Sequence, residues 1–533
     1  MPERREPSWA DRALWLAGAG LLAATLVLVG VEHYWLRDLK FDDAYIHFRY
    51  ARNLAQGKGF VYNDGERVLG SGAIPWNLLL AAVAAGTPSD TLPAAVSILN
   101  YLALLACAAV VVAAVGRDGR RWLGMLIAAA LLAEGPLVVS SIGGMETVIL
   151  CLLYFLVFLA LLRERYELAG LAAGIAVCFR VESVFLALAA IAAPALYARR
   201  RFWRTLAATL LVPLVVHCWA WLYFGFPLAN STLAKRIVYD PPALDACRRC
   251  LKTLQDGLQF ARLWPRGPIA VAWAQDACVV LWLPFLCLGF LFVRQSAPAA
   301  GLVLLQPLGA FAFYVRANPL MFPWYDCTYA PLATLFALLG VAWLGERVPG
   351  PRAVGAAATL VAVVWLSCTP VLRTWWPLAP PTDARFSFSL PNAEAHSRVY
   401  QYINIARFLD SRVRRDELVC ASEIGALGYY HHGRILDAIG LVSPEALRYH
   451  PNPLRRGPLL GAIPPRLVHD LRPEYVVAMD LFAEYVWADP WFGQNYVLIG
   501  RWPWFGGPVR WHDLPTLVWT GYEMRAYRRV DVP

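Results

Sequence analysis

The residues best equipped for chemistry lie in one polar run, FDDAYIHFRYARNLAQGKGFVYNDGERVLGSGAIPW, at positions 41–76. It opens on adjacent carboxylates, Asp42 and Asp43, just beyond an apolar stretch long enough to cross a bilayer. A carboxylate within hydrogen-bond reach can take the proton of an attacking hydroxyl. Aspartates at a helix start also cap free backbone N–H groups, and that reading stays open beside the first. From Asp42 to Ala55 the spacing is helical, with Tyr45, Phe48 and Arg52 on one face and Ile46, Arg49 and Asn53 on another. Gly57, Gly59 and the Asn63-Asp64-Gly65 run mark turns. Acid, base, aromatics and glycine turns at a membrane surface suit an anionic, lipid-linked substrate.

The elements that must hold this run are apolar. Of 533 residues, 59% are hydrophobic and only 16% charged, against about 25% charged in a soluble chain. Apolar stretches recur from Leu14 to about Leu372, so the chain reads as a polytopic membrane protein. Residues 14–31 read as a retained signal anchor, because basic residues precede them and no small-residue cleavage site follows. Spanning candidates follow at 92–116, 122–140, 145–162, 205–224, 268–293, 298–316, 324–344 and 353–371. Residues 75–86 are too short to span, and 167–198 reads as two short helices joined near Arg180. Basic clusters at 117–121, 163–165 and 198–204 place the N-terminus and these loops in the cytoplasm, with about eleven spans. The polar run 41–76 then faces outward. A net charge of +10 would in a soluble chain suggest nucleic acid, but here the arginines sit at helix ends, where topology accounts for them. No nucleic-acid partner is expected.

From about Thr374 the composition changes. Three prolines, Pro377, Pro380 and Pro381, mark a boundary between a transmembrane domain, 1–373, and an extracytoplasmic domain, 374–533. Residues 395–412 read as an amphipathic helix, and 418–422 and 475–479 as strands of a small α/β unit. Most of the 11 cysteines lie in apolar runs, while Cys247 and Cys250 sit in a polar loop as two free thiols or a local disulfide. His431-His432 lacks a third ligand in sequence, and a metal there is not expected.

The run DDAYIHFRYARNLAQGKGFVYNDGERVLG resembles the first outer loop of the mycobacterial terminal arabinofuranosyltransferase family, within the glycosyltransferase C (GT-C) superfamily. Later patterns fall in the same order: GMET at 144–147, FRVE at 179–182, FGFPLANSTLAK at 224–235, PWY at 323–325 and GALGYYHHGRILDAIGLVSPE at 425–445. The chain departs from the family at 69–76, LGSGAIPW, where a Glu and a Tyr are often found, and at Val181, often Pro. The resemblance implies a GT-C-like helical bundle with an outer α/β domain. It also implies transfer of a sugar, arabinofuranose-like in the namesake family, from a polyprenyl-phosphate donor to a cell-envelope glycan or lipid in a bacterial plasma membrane.

Carried onto this chain, Asp42 or Asp43 is the general base, with Asp42 preferred. Arg49, Arg52, Arg180, Lys235 and Arg236 are the candidate cations for the leaving phosphate, Lys235 and Arg180 foremost because the family patterns include them. Tyr45, Trp76, Glu146, Glu182, Asn230, Trp324 and Tyr325 would line the substrate. Simpler roles compete: Glu146 and Glu182 can pair with Arg180, and Arg49 and Arg52 can bind lipid head groups. A divalent Mg²⁺ or Mn²⁺ bridging Asp42 or Asp43 to the phosphate has no complete ligand set in the sequence. A single displacement needs one base and inverts the sugar. A protein mannosyltransferase and a lipid A sugar or aminoarabinose transferase remain the enzymatic alternatives. A lipid-linked-sugar transporter fits less well, since no internal repeat is visible.

Overall fold

The computed structural model describes residues 9–38, 40–116, 121–239, 241–258, 270–345, 347, 398–454, 462–503 and 523–532. The expected span at 353–371 and the boundary near Thr374 lie outside the described residues. Among the described residues, four helices are long and apolar enough to cross a membrane: Arg12–Tyr34, Ser89–Val115, Arg199–Phe224 and Pro298–Ala317. Shorter apolar helices complete the described bundle.

In chain order the helices are α1 (Trp9–Trp35), α2 (Asp42–Ala55), α3 (Ile74–Ala85), α4 (Leu92–Val115), α5 (Arg121–Leu132), α6 (Gly135–Ile142), α7 (Thr147–Leu162), α8 (Tyr166–Phe179), α9 (Val184–Tyr197), α10 (Phe202–Phe224) and α11 (Asn230–Val238). They continue with α12 (Asp245–Leu258), α13 (Ala270–Ser296), α14 (Pro298–Gly301), α15 (Leu305–Ala317) and α16 (Ala330–Gly345). The stretch 122–140, expected as one span, is two helices. Pro136 enters at the first turn of α6, where it has no N–H to continue α5. The pair expected within 167–198 is present as α8 and α9, with Arg180 extended between them (φ −151°, ψ 130°). Cys247 and Cys250 are free thiols on α12.

Beyond residue 397 the chain forms α17 (Arg398–Asp410), β1 (Leu418–Ala421), α18 (Gly425–Tyr430), β2 (Arg434–Asp437), β3 (Tyr475–Met479), β4 (Tyr496–Pro503) and β5 (Glu523–Arg529). The sheet order is β2-β1-β3-β5-β4. β1 runs parallel to β2 and β3, while β5 pairs antiparallel with β3 and β4. Every residue of β3, YVVAM, is buried, as the central strand of a sheet covered on both faces should be. The expected α/β unit is therefore a mixed sheet with a parallel half.

This unit sits on the bundle through α2. The α2 helix packs against α18, and Tyr62 Oη donates to Ile424 O (2.6 Å). Gly425 lies so close to α2 that a Cβ there would collide with the Asp42 carbonyl oxygen. Only glycine permits that approach.

Candidate functional site

The two adjacent carboxylates have opposite surroundings. Asp42 is buried, and its oxygens accept from two backbone N–H groups at the start of α18: Oδ2 from Gly425 (2.9 Å) and Oδ1 from Ala426 (2.8 Å). It caps a helix, but one in the other domain rather than its own. Asp43, one residue on and about 100° round the helix, is partly exposed, with Oδ2 3.6 Å from Lys235 Nζ. Asp43 and the cation it faces are both partly exposed.

Lys235 is carried by α11. Its Nζ donates to Tyr325 Oη (3.3 Å) and lies 5.1 Å from the centre of the Phe322 ring. Burial by itself would lower the Lys235 pKa, but the Tyr325 hydroxyl and the Asp43 carboxylate reverse the sign and hold it above the ordinary lysine value. The Arg180 guanidinium stands over the same Tyr325 ring, 4.5 Å from its centre. Arg180 in turn meets Glu146 and Glu182, each at 3.2 Å. Tyr314 closes the group by donating to Glu182 (2.6 Å) and stacking on Tyr325 at 5.7 Å and 9°. Trp324 stacks on Phe322 (4.8 Å, 4°) and packs against Phe41, the residue before Asp42.

Segments far apart in sequence thus bring Asp43, Glu146, Arg180, Glu182, Lys235, Trp324 and Tyr325 together. The loop bearing Glu146 is held against α2 where Phe41 N–H donates to Gly143 O (2.9 Å). Gly144, at φ +82°, makes the turn there with Phe48 and Ala44 packed against it.

Other expected site residues lie elsewhere. Arg49 donates to the backbone carbonyls of Tyr62 (2.8 Å), Gly428 (2.5 Å) and Gly433 (2.8 Å), and Arg52 to Tyr429 O (2.5 Å). Both guanidiniums are committed to the seam between α2 and the outer domain, which does not fit the phosphate-binding role expected of them. Asn230 donates to Gly440 O and Leu441 O of that domain, which does not fit substrate lining. Tyr45 is fully buried among Phe48, Tyr429 and Tyr430, and Trp76 is fully buried on α3; neither lines an open surface. Arg236 is exposed beside Lys235 on α11.

Three contributors were absent from the sequence expectations. His47 stands one helical turn from Asp43, so i, i+4 spacing along α2 was an available signal. Phe322 immediately precedes the PWY pattern. Tyr314 carried no signal, because it is one tyrosine within an apolar helix.

The donor set does not favour a metal. The Asp42 oxygens accept backbone N–H groups, Asp43 is paired with Lys235, and no cluster of three or more His, Cys, Asp or Glu suited to a metal occurs among the described residues. His432 instead meets Asp410, at 3.1 Å.

A family model, a domain of unknown function (DUF8728), matches residues 391–527. No curated protein matches the sequence. ArnT from Cupriavidus metallidurans bound to undecaprenyl phosphate superimposes with a TM-score of 0.52 over 96% of this chain and 97% of that one, at 11% identity. Its apo state gives 0.50 over 95% and 97%, at 12% identity. The arabinofuranosyltransferase AftD from Mycobacteria aligns with 98% of this chain and 42% of its own, at 14% identity and a TM-score of 0.41. From its helical bundle to the sheet seated above, this chain has the apolar helices of a multi-pass membrane protein and the fold of ArnT.

Proposed function

We propose that the chain transfers a sugar from a polyprenyl-phosphate donor to a hydroxyl of a cell-envelope glycan or lipid, on the outer face of a bacterial plasma membrane, with inversion. The observation that carries this reading is the cluster Asp43–Lys235–Tyr325–Arg180, which sets one accessible carboxylate beside two cations and an aromatic face. The solved ArnT complex holds undecaprenyl phosphate, which supports a lipid phosphate as the carrier here.

In this scheme the acceptor oxygen attacks the anomeric carbon and its proton passes to Asp43. The bond from that carbon to the phosphate oxygen breaks, and the polyprenyl phosphate leaves with its electron pair. Lys235 and Arg180 stabilise the charge gathering on phosphate. The resting Asp43–Lys235 pair suits this sequence: a donor phosphate competes for Lys235 and frees the carboxylate for the acceptor hydroxyl.

Lys235→Ala removes one charge-assisted contact to phosphate, about 1.5–3 kcal/mol, so catalytic efficiency at limiting donor should fall roughly ten- to a hundredfold. Transfer assays with purified protein and donor lipid measure it. An unchanged rate would leave Lys235 as a partner of Asp43 only. Mass spectrometry of co-purified native lipid identifies the sugar and distinguishes an arabinofuranose-like pentose from a hexose or an aminoarabinose.

A further inference from the structure

The head-group role open to both Arg49 and Arg52 from sequence separates in the structure. Arg49 spends its nitrogens on the seam. Arg52, 7% exposed, spends one: Nη1 donates to Tyr429 O, and the guanidinium lies 4.6 Å from the centre of the Tyr429 ring. Its Nε and Nη2 donate to nothing among the described residues. Neither arginine has a carboxylate partner among those residues, and Asp64 is already paired with Lys58 (2.8 Å). Two buried cations one helical turn apart thus lack a counter-charge, a costly arrangement away from water. Burial, reinforced by Arg49, holds the Arg52 pKa below the ordinary arginine value.

Arg52 opens onto a cavity of about 230 Å³, with Gln56 and Ser89 on its polar side and Ala84, Ala85 and Leu92 on its apolar side. The cavity meets the N-terminal end of the long apolar helix Ser89–Val115, where the helix dipole favours an anion. Tyr429 Oη donates to Ser89 O (2.7 Å) and holds that end against α18. The opposing carboxylate, Asp90, is exposed and lines a neighbouring cavity instead. Arg52 is nine residues beyond Asp43 on α2, hence roughly 13.5 Å along the helix and about 180° round it. The donor cluster is on the other side.

We infer that this cavity binds the phosphate of a membrane lipid, held by Arg52 and the start of the Ser89–Val115 helix. A lipid is favoured over a free ion because the cavity lies where a helix of spanning length ends, and Ile98 and Leu102 on that helix are exposed. The bound phosphate supplies the counter-charge that Arg52 lacks and ties α2, α4 and α18 together. The site is independent of the donor reading.

Native mass spectrometry of the full-length protein in detergent, at one fixed pH, tests this by titration with phosphatidylglycerol, whose phosphodiester stays anionic throughout the neutral range. Wild type should retain phosphatidylglycerol but not diacylglycerol with the same chains, and inorganic phosphate at equal concentration should not displace it. Arg52→Gln should bind phosphatidylglycerol roughly tenfold more weakly. Lys58→Gln, which removes an exposed charge nearby, should bind as wild type does. Ala84→Phe narrows the cavity with Arg52 in place and should also weaken binding, which keeps the test open if melting temperatures show Arg52→Gln unfolded. Equal binding by wild type and the folded cavity variants would overturn the inference, as would equal retention of diacylglycerol. Displacement by inorganic phosphate would identify a free-anion site and overturn the lipid assignment.

Discussion

Adjacent residues on a helix point about 100° apart, so two neighbouring carboxylates cannot serve one site. Asp42 is held by two backbone N–H groups of α18, whereas Asp43 meets Lys235. We therefore reverse the sequence preference and assign the base to Asp43. Asp43→Asn should lower the transfer rate by ~10²–10⁴-fold with melting temperature unchanged, because an amide has no useful proton affinity. Asp42→Asn should act in the opposite sense. Asn offers one oxygen where two are used, so one buried amide loses its acceptor at a cost of about 1–3 kcal/mol in stability. Its rate at saturating donor should stay within roughly tenfold of wild type, the loss coming through positioning rather than proton transfer. Paired melting and single-turnover measurements on the two variants decide the assignment.

At the scale of elements, the seam between α2 and the outer domain governs. Arg49 alone reaches three backbone carbonyls, two of them in residues 428–433, and its guanidinium lies 4.3 Å from the centre of the Tyr62 ring. Lysine carries the charge but not the fork, so Arg49→Lys should leave carbonyls unsatisfied and cost about 3 kcal/mol or more. Faster limited proteolysis of the outer domain would register the loosened seam, with the bundle unaffected. The same seam holds a pH-sensitive group. His431 is buried at the end of α18, and burial, reinforced by nearby Arg49, lowers its pKa from 6.5 to about 4. The folded domain binds fewer protons than the unfolded chain between these values, so the stability contributed by neutral His431 is complete above about pH 6.5 and is lost as pH falls toward 4. The full shift amounts to about 3 kcal/mol. Protection factors in residues 418–437, which are corrected for the intrinsic exchange rate at each pH, should fall between pH 7 and 5 in wild type, and His431→Phe should flatten that change.

At the scale of the molecule, the proposed site sits where the bundle meets the outer domain, and both must lie on one side of the membrane. The basic clusters at 163–165 and 198–204 are our argument for a cytoplasmic N-terminus and an outward site. Reporter fusions at residue 400 should be active outside and silent in the cytoplasm. The reverse result would remove the outer-face donor reading while leaving the fold untouched.

Apolar length and the recurrence of basic loops were enough, from sequence alone, to identify a multi-pass helical protein, because the bilayer fixes how long an apolar helix must be. The apolar run YVVAM likewise announced a buried strand of the outer unit. Ordered short motifs pointed to the GT-C fold and to Asp43, Lys235, Arg180 and Tyr325 as candidates. What only the tertiary structure decided is partnership. Asp42 and Asp43 are indistinguishable as letters, as are an arginine that binds carbonyls, Arg49, and one that meets carboxylates, Arg180. Each difference depends on contacts across more than 30 residues: Gly425 on Asp42, Gly428 on Arg49, Glu146 on Arg180. Helical periodicity describes which face a side chain occupies, not what packs against that face. For this reason Tyr314 became visible only once α15 had been brought against Glu182 and Tyr325.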